Sequence, residues 1–264
     1  MSSEFERVVA RLLAADVASA EIDALVAELR PLTKGVKLDV PRFRLGMPMY
    51  RGRIAEHAEM VRDLSYPPVE LTRLGRLNRP NQPLFYACAA REAVFFEVDA
   101  LVGASVLLST WRTTAPMLVN HVGYHKESFD ALGSARGVAG WDGVVDPHAK
   151  HPESAGALSA LSQLFAQRVE RGSEERYRLS VAVAECFLSP QFAGLLWPSV
   201  AMMANADNLA LRPAWVDENV AFVHAERVFV EAKEGRTLRV RVTHDATAPN
   251  GVDLVWKARE AGDQ

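Results

Sequence analysis

The stretch Gly75–Glu97, GRLNRPNQPLFYACAAREAVFFE, decides how the rest of the chain is arranged. It opens on Gly75, Asn78, Pro80, Asn81 and Pro83, a density of breakers that forbids helix. A short apolar run follows, Leu84-Phe85-Tyr86-Ala87-Cys88, of strand length and bounded by those turn residues. Ala89 to Val98 then reads as a short helix carrying Ala93, Val94, Phe96 and Glu97. Arg76 lies ten residues before Tyr86, and Tyr86 eleven before Glu97. A loop cation, a strand phenol and a carboxylate one element later are thus expected to converge at one end of a sheet. That set suits a small anionic ligand with a planar ring and a developing positive charge. The neighbours Phe95, Phe96 and Val98 predict a buried setting for Glu97, where an unpaired charge is costly.

Two further stretches join this one. MYRGR (Met49–Arg53) reads as a strand after the punctuation of Pro41 and Pro48. By itself Arg51 there is a solvated edge charge. WPSVAMMANADNLALRP (Trp197–Pro213) places two strands, Leu195–Val200 and Asn208–Leu211, around an Asn205-Ala206-Asp207 turn. Ser199 follows Pro198, whose missing N–H marks an edge, bulge or strand end. By itself that serine makes a local backbone hydrogen bond.

The pattern Gly-Arg-x-Asn-x-Pro-x-x-x-x-x-Tyr with a Glu eleven residues on, preceded by Tyr-Arg and followed by aromatic-Pro-Ser-Val and Asn-Leu-Ala-Leu, resembles the RES domain, named for its arginine, glutamate and serine. The resemblance runs from about Tyr50 to Val230. It departs from the pattern at Trp197, where tyrosine is usual, and at Asn81 and Asn205, which replace glycines. It implies a fold similar to ADP-ribosyltransferases, with NAD as substrate in a cleft between two sheets. It also implies cleavage of the nicotinamide–ribose bond with phosphate or water as acceptor, or transfer of ADP-ribose to a protein. On this resemblance Glu97 stabilises the oxocarbenium-like ribose, and Arg51 and Arg76 hold the pyrophosphate. Tyr86 packs on the nicotinamide or ribose, and Ser199 bonds the ribose or positions Glu97. It further implies a toxin of the toxin–antitoxin type with a neutralising protein partner, and allows a homo-oligomer. A non-catalytic nucleotide- or protein-binding relative is the remaining alternative, which the three departures permit.

The fold class expected is α+β, a mixed or antiparallel β core around a central cleft with peripheral helices. Residues 1–39 form a helical extension and 40–264 the catalytic domain. In the extension, Phe5, Val8, Val9, Leu12 and Leu13 recur at helical spacing, and Ile22, Leu25, Val26 and Leu29 repeat the pattern after a Ser19 start signal. Pro31 is the expected stop, and the apolar face is expected to act as a lid or a dimer surface. Ala55–Thr72 reads as loop with at most a short helix. Strands are expected at Val102–Leu108, Met117–Val122, Val220–Glu231, Leu238–Thr243 and Val252–Trp256, with a hairpin at AKEGR (232–236) turning on Gly235. Helices are expected at Ser154–Arg171 and Arg176–Leu188.

With 264 residues, 49% hydrophobic and 24% charged, the chain is long enough for a full core and ordinary in composition. A net charge of −3 provides no basic field to recruit nucleic acid. Cys88 and Cys186 both lie in apolar runs and read as buried thiols of a reducing compartment. The opening MSSEFERVV lacks a basic start before an apolar block, and no run of about 18 apolar residues exists, so neither signal peptide nor membrane span is expected. A cytoplasmic location follows. His121 and His125 straddle a Gly123-Tyr124 turn and make a poor metal pair. WDGVVDPHAKHPE (Trp141–Glu153) gathers Asp142, Asp146, His148, His151 and Glu153, yet no rigid helix spaces them and no cysteine joins them. A solvated loop, and no metal, is the expectation. No cofactor is expected beyond NAD as substrate.

Overall fold

The computed structural model describes residues 4–136, 151–170, 172–235 and 237–259. It is a mixed α+β protein built on one nine-stranded sheet and a small two-stranded one. In chain order the strands are β1 Arg42–Phe43, β2 Pro48–Ile54, β3 Phe85–Cys88, β4 Ser105–Thr113, β5 Met117–Leu118, β6 Asn120–His121, β7 Gly194–Pro198, β8 Asp207–Leu211, β9 Val220–Glu234, β10 Thr237–Thr247 and β11 Val255–Ala258. The helices are α1 Glu4–Ala14, α2 Ile22–Thr33, α3 Ala93–Glu97, α4 Lys126–Leu132, α5 Pro152–Phe165, α6 Tyr177–Phe187 and α7 Pro213–Asn219. The large sheet runs β11-β10-β9-β4-β2-β3-β8-β7-β6, and β1 pairs with β5. Every pairing is antiparallel except β6 with β7.

The period-two alternation of the strands sorts their side chains onto two faces. On one face Leu195, Trp197 and Ala210 meet the apolar stripes of α1, α2, α5 and α6 in a single core. Further along that face Val106, Leu108, Val228 and Val230 pack with Val94 and Phe95 of α3. The opposite face gathers Met49, Phe85, Leu107, Trp111, Leu196, Leu209 and Ala225. The N-terminal helices therefore belong to the main core, since Leu25, Val26 and Leu29 of α2 are buried in the same cluster as Val181 and Val183 of α6. The amphipathic face that was expected to pack on something is thus covered within the chain, which leaves it no part in a dimer surface.

Several local expectations move. The α2 helix runs past Pro31 to Thr33, because a proline near the last turn forfeits only one helical bond and burial of Leu32 holds the turn. Ser19 bonds Asp16 and does not cap α2, whose N-cap is Glu21. The strand expected at Val102–Leu108 is displaced to Ser105–Thr113, since Gly103 takes a left-handed turn at φ 88°. Residues 117–122 divide into the two short strands β5 and β6, which pair with different partners. The α5 helix starts at Pro152, with Glu153 in its first turn, and ends at Phe165, six residues short of the expected end. Helices α4 and α7 are additions. The β9–β10 hairpin turns at Gly235 as read.

One irregularity places the site. Strand β2 pairs with β4 over seven positions but with β3 at one alone, Tyr50 with Cys88. The sheet thus opens between β2 and β3. The ladder is nevertheless continuous through that one pair, so the cleft expected between two separate sheets is instead an opening within one.

Candidate functional site

A cavity of about 210 Å³ lies on the helical face at this opening, lined by residues of β2, β3, α3, β7 and β8 that include Tyr50, Tyr86, Glu97, Trp197 and Asn208. Gly52 brings α3 against β2: a Cβ there would lie 2.2 Å from Val94 Cγ1 and 3.3 Å from Val98 Cγ1. Helix α3 stops at Glu97, and Asp99 turns the chain at φ 48°. The carboxylate is thereby left at the cavity's mouth.

Glu97 Oε1 accepts two hydrogen bonds, from Ser199 Oγ and, at 2.8 Å, from Asn208 Nδ2. Ser199 is fully buried immediately after β7 ends, and its Oγ also accepts from the Met202 N–H at 3.0 Å. Its backbone joins Ala206 and Ala204, so the loop 199–206 closes on the serine. Within that loop Asn205 Nδ2 donates to the carbonyls of Met202 and Met203, and Met203 and Ala204 take left-handed φ values of 51° and 58°. Ser199 thus bonds Glu97, one of the two roles that the resemblance left open for it. The expected burial of Glu97 is absent: Phe95 points into the core, while Glu97, two positions on along the helix, is exposed.

Tyr86 lines the cavity and meets Trp197 edge to face, ring centroids 6.0 Å apart at 84°; Phe165 backs Trp197 at 6.3 Å. Its hydroxyl accepts from the Leu77 N–H at 2.9 Å and donates to Asn78 Oδ1 at 2.8 Å. Burial pushes its pKa up, so it stays a neutral phenol. Asn78 Nδ2 in turn donates to the carbonyls of Arg73 and Arg79. Gly75 makes room for this staple, since a Cβ there would lie 2.5 Å from Asn78 Oδ1. Much of the Gly-Arg-x-Asn pattern thus fastens a loop onto β3. Asn81 holds φ 61°, a left-handed value that asparagine tolerates where glycine was expected.

The two arginines are each held in part by backbone carbonyls. Arg51 points to the opposite face from Tyr50 and Gly52, and its guanidinium fills the opening between β2 and β3. Nε donates to the Ser65 carbonyl at 3.0 Å and Nη1 to the Tyr86 carbonyl at 2.8 Å, with the Phe85 ring 5.7 Å away. Burial, with a smaller push from Arg53, lowers its pKa to about 10, which leaves it cationic at neutral pH. It lines both the smaller cavity and one of about 940 Å³ on the far face. Arg76 is turned to the C-terminal end of α5, where Nη1 donates to the carbonyls of Phe165 and Gln167 at 3.0 and 3.2 Å. Carbonyls left over at a helix end attract a cation, and the Phe165 and Tyr177 rings flank it at 5.9 and 5.2 Å. Arg76 is not among the residues lining the smaller cavity. Both arginines are spent in part on backbone carbonyls, although no described residue takes Nη2 of either.

Asn208, which the sequence reading carries only as the first residue of the Asn-Leu-Ala-Leu motif and gives no role, lines the cavity and bonds Glu97. A polar Asp-Asn pair opening an otherwise apolar strand is a second signal for it. Cys88 lines the cavity too, but burial, and then the Glu97 carboxylate, push its thiol well above the ordinary value, so it is no thiolate nucleophile. His121 and His125 are both buried, and no group of three or more potential ligands among the described residues is placed to hold a metal ion. Residues 141–150 of the acidic and histidine-rich stretch lie outside the described residues; His151 stands at the N-cap position of α5 without a side-chain capping bond and is 3.9 Å from Asp39. No helix among the described residues is long and apolar enough to cross a membrane. No family model, curated protein or solved structure matches the chain.

Proposed function

We propose that this chain consumes NAD by breaking the nicotinamide–ribose bond, with phosphate or water as acceptor. One observation carries the reading: Glu97 is held through Oε1 by two donors, and no described residue takes its Oε2 at the mouth of an aromatic-lined cavity. The nicotinamide of NAD is a pyridinium, so it leaves neutral and needs no general acid. Positive charge then develops on the ribose, as in glycoside cleavage. A carboxylate held in advance stabilises charge that exists mainly in the transition state. Tyr86 and Trp197 offer ring faces and edges to the nicotinamide. About 210 Å³ is below the ~300–1,000 Å³ of sites that enclose a whole ligand, so the cavity takes one end of a dinucleotide.

The resemblance to the RES domain supports the same reading, and the ADP-ribosyltransferase-like architecture belongs to it. In this proposal the halves of the sheet on either side of the β2–β3 opening act as the two sheets of the cleft, and Arg51 at the opening offers Nη2 to the pyrophosphate. A neutralising partner is part of the toxin reading. Transfer to a protein is the second reading, favoured by the exposure of Glu97, where an acceptor side chain can approach. Incubating the pure protein with NAD, with and without phosphate, tests the first: free nicotinamide is expected, with ADP-ribose or its phosphorylated form. Nicotinamide release only on addition of cell protein, with label appearing on that protein, selects the second. No release and no label rejects both.

A further inference from the structure

We infer that Asn208 positions Glu97 and also reads a hydroxyl of the ligand's ribose through its side-chain carbonyl, an inference that rests on the NAD reading above. Asn208 lies in β8, its backbone paired with Cys88 on one side and Trp197 on the other, and it is 3% exposed. Nδ2 donates to Glu97 Oε1 at 2.8 Å, while Oδ1 is buried with no hydrogen-bond partner among the described residues. Glu97 settles which way the amide faces: turned over, it would set Oδ1 against Oε1, one acceptor against another. Buried polar atoms are nearly always paired, and an unpaired acceptor costs stability. Asparagine is also a poor choice for a strand interior. The chain carries that cost in a residue lining the cavity beside Glu97.

A donor on the ligand is the partner that makes sense of it. Oδ1 and Nδ2 share one carbon, so the open acceptor lies close to the carboxylate that faces the reacting anomeric carbon. The nearest donor on a nicotinamide ribose is the hydroxyl on the adjoining carbon. Glu97 Oε2 and Asn208 Oδ1 would then face neighbouring atoms of the same sugar. The specificity expected is for a ribose over a sugar lacking that hydroxyl.

The test uses the full chain with two probes, NAD and an NAD analogue lacking the 2′-hydroxyl of the nicotinamide ribose. Calorimetric affinities are compared for the parent, Asn208→Leu and Asn208→Ala. The parent is expected to prefer NAD by roughly tenfold to a hundredfold, and both variants to bind the two probes alike. A preference of the same size in parent and variants overturns the inference, as does a parent that binds both probes equally. A parent that binds neither rejects the NAD reading itself. The thermal midpoint then still tests the open acceptor: Asn208→Leu is expected to melt no lower than the parent. A leucine variant that melts well below the parent, or fails to fold, overturns it.

Discussion

The Tyr86 hydroxyl sits between the Leu77 N–H and Asn78 Oδ1, and that position gives it a structural part apart from its ring. Tyr86→Phe keeps the ring against Trp197 but strands a donor and an acceptor in the loop. The expected loss is about 1–3 kcal/mol, read as a lower urea midpoint at unchanged slope. An unmoved midpoint would mean that the loop is held without the hydroxyl. On the proposed NAD reading, Glu97 separates binding from chemistry. Glu97→Gln can still accept from Ser199 and Asn208, so the fold and NAD binding should persist. What it loses is a negative charge which, about 4 Å from the ribose at an effective dielectric near 20, is worth roughly 4 kcal/mol. Allowing for incomplete charge development, nicotinamide release should slow on the order of a hundred- to a thousandfold. Single-turnover release and NAD affinity, measured side by side, check it; a parental rate would remove Glu97 from the mechanism.

At the scale of elements, the contact of α3 with β2 governs where Glu97 stands. The helix is five residues long and cannot hold its own shape in isolation, so packing holds it. Val94 seats over Gly52 at a distance no side chain allows, and Val98 lies close beside it. Gly52→Ala should therefore lift α3, cost about 1–3 kcal/mol and slow turnover. Val94→Ala clears the obstructing methyl, so the double variant should recover part of both losses, a coupling that a denaturation cycle reads directly. Strict additivity would show that the helix does not rest on this contact. Arg51 acts between elements in the same way, joining β2 to the backbone of β3 and to the 61–71 segment where the sheet ladder is missing.

For the molecule as a whole, a buried histidine at the far edge of the sheet is expected to contribute to acid sensitivity. His121 Nε2 lies 2.9 Å from the Asp39 carbonyl and, its partner being an acceptor, carries the proton. Burial lowers its pKa to about 4, against a smaller opposing effect of Asp39. The unfolded chain takes up the proton near its ordinary value of about 6.5 while the folded one resists it. The full contribution is present above about pH 6.5 and is lost as the pH falls toward 4, on the order of 3 kcal/mol in all. His121→Gln keeps a donor for the Asp39 carbonyl and removes the titration. The difference in unfolding free energy between parent and variant, followed by urea denaturation from pH 7 to pH 4, should swing by that amount in the variant's favour. A constant difference would place the acid sensitivity elsewhere.

The sequence by itself determined the class of fold, the β3 strand behind its run of breakers, the Gly235 hairpin and the helical character of the N-terminal segment. These rest on local chemistry: proline and glycine stop elements wherever they stand, and apolar spacing at 2 or 3.6 residues needs no distant partner. Tertiary structure decided the rest. It turned Arg51 and Arg76 onto backbone carbonyls, brought Glu97 out to the mouth of a cavity, and set Asn208 beside it from a strand 111 residues away. It also opened the sheet between β2 and β3 and folded the N-terminal helices into the main core. Each of these depends on strand register and on which face a side chain takes. A one-residue slip reverses that face, and only long-range packing selects among registers that look alike in the sequence.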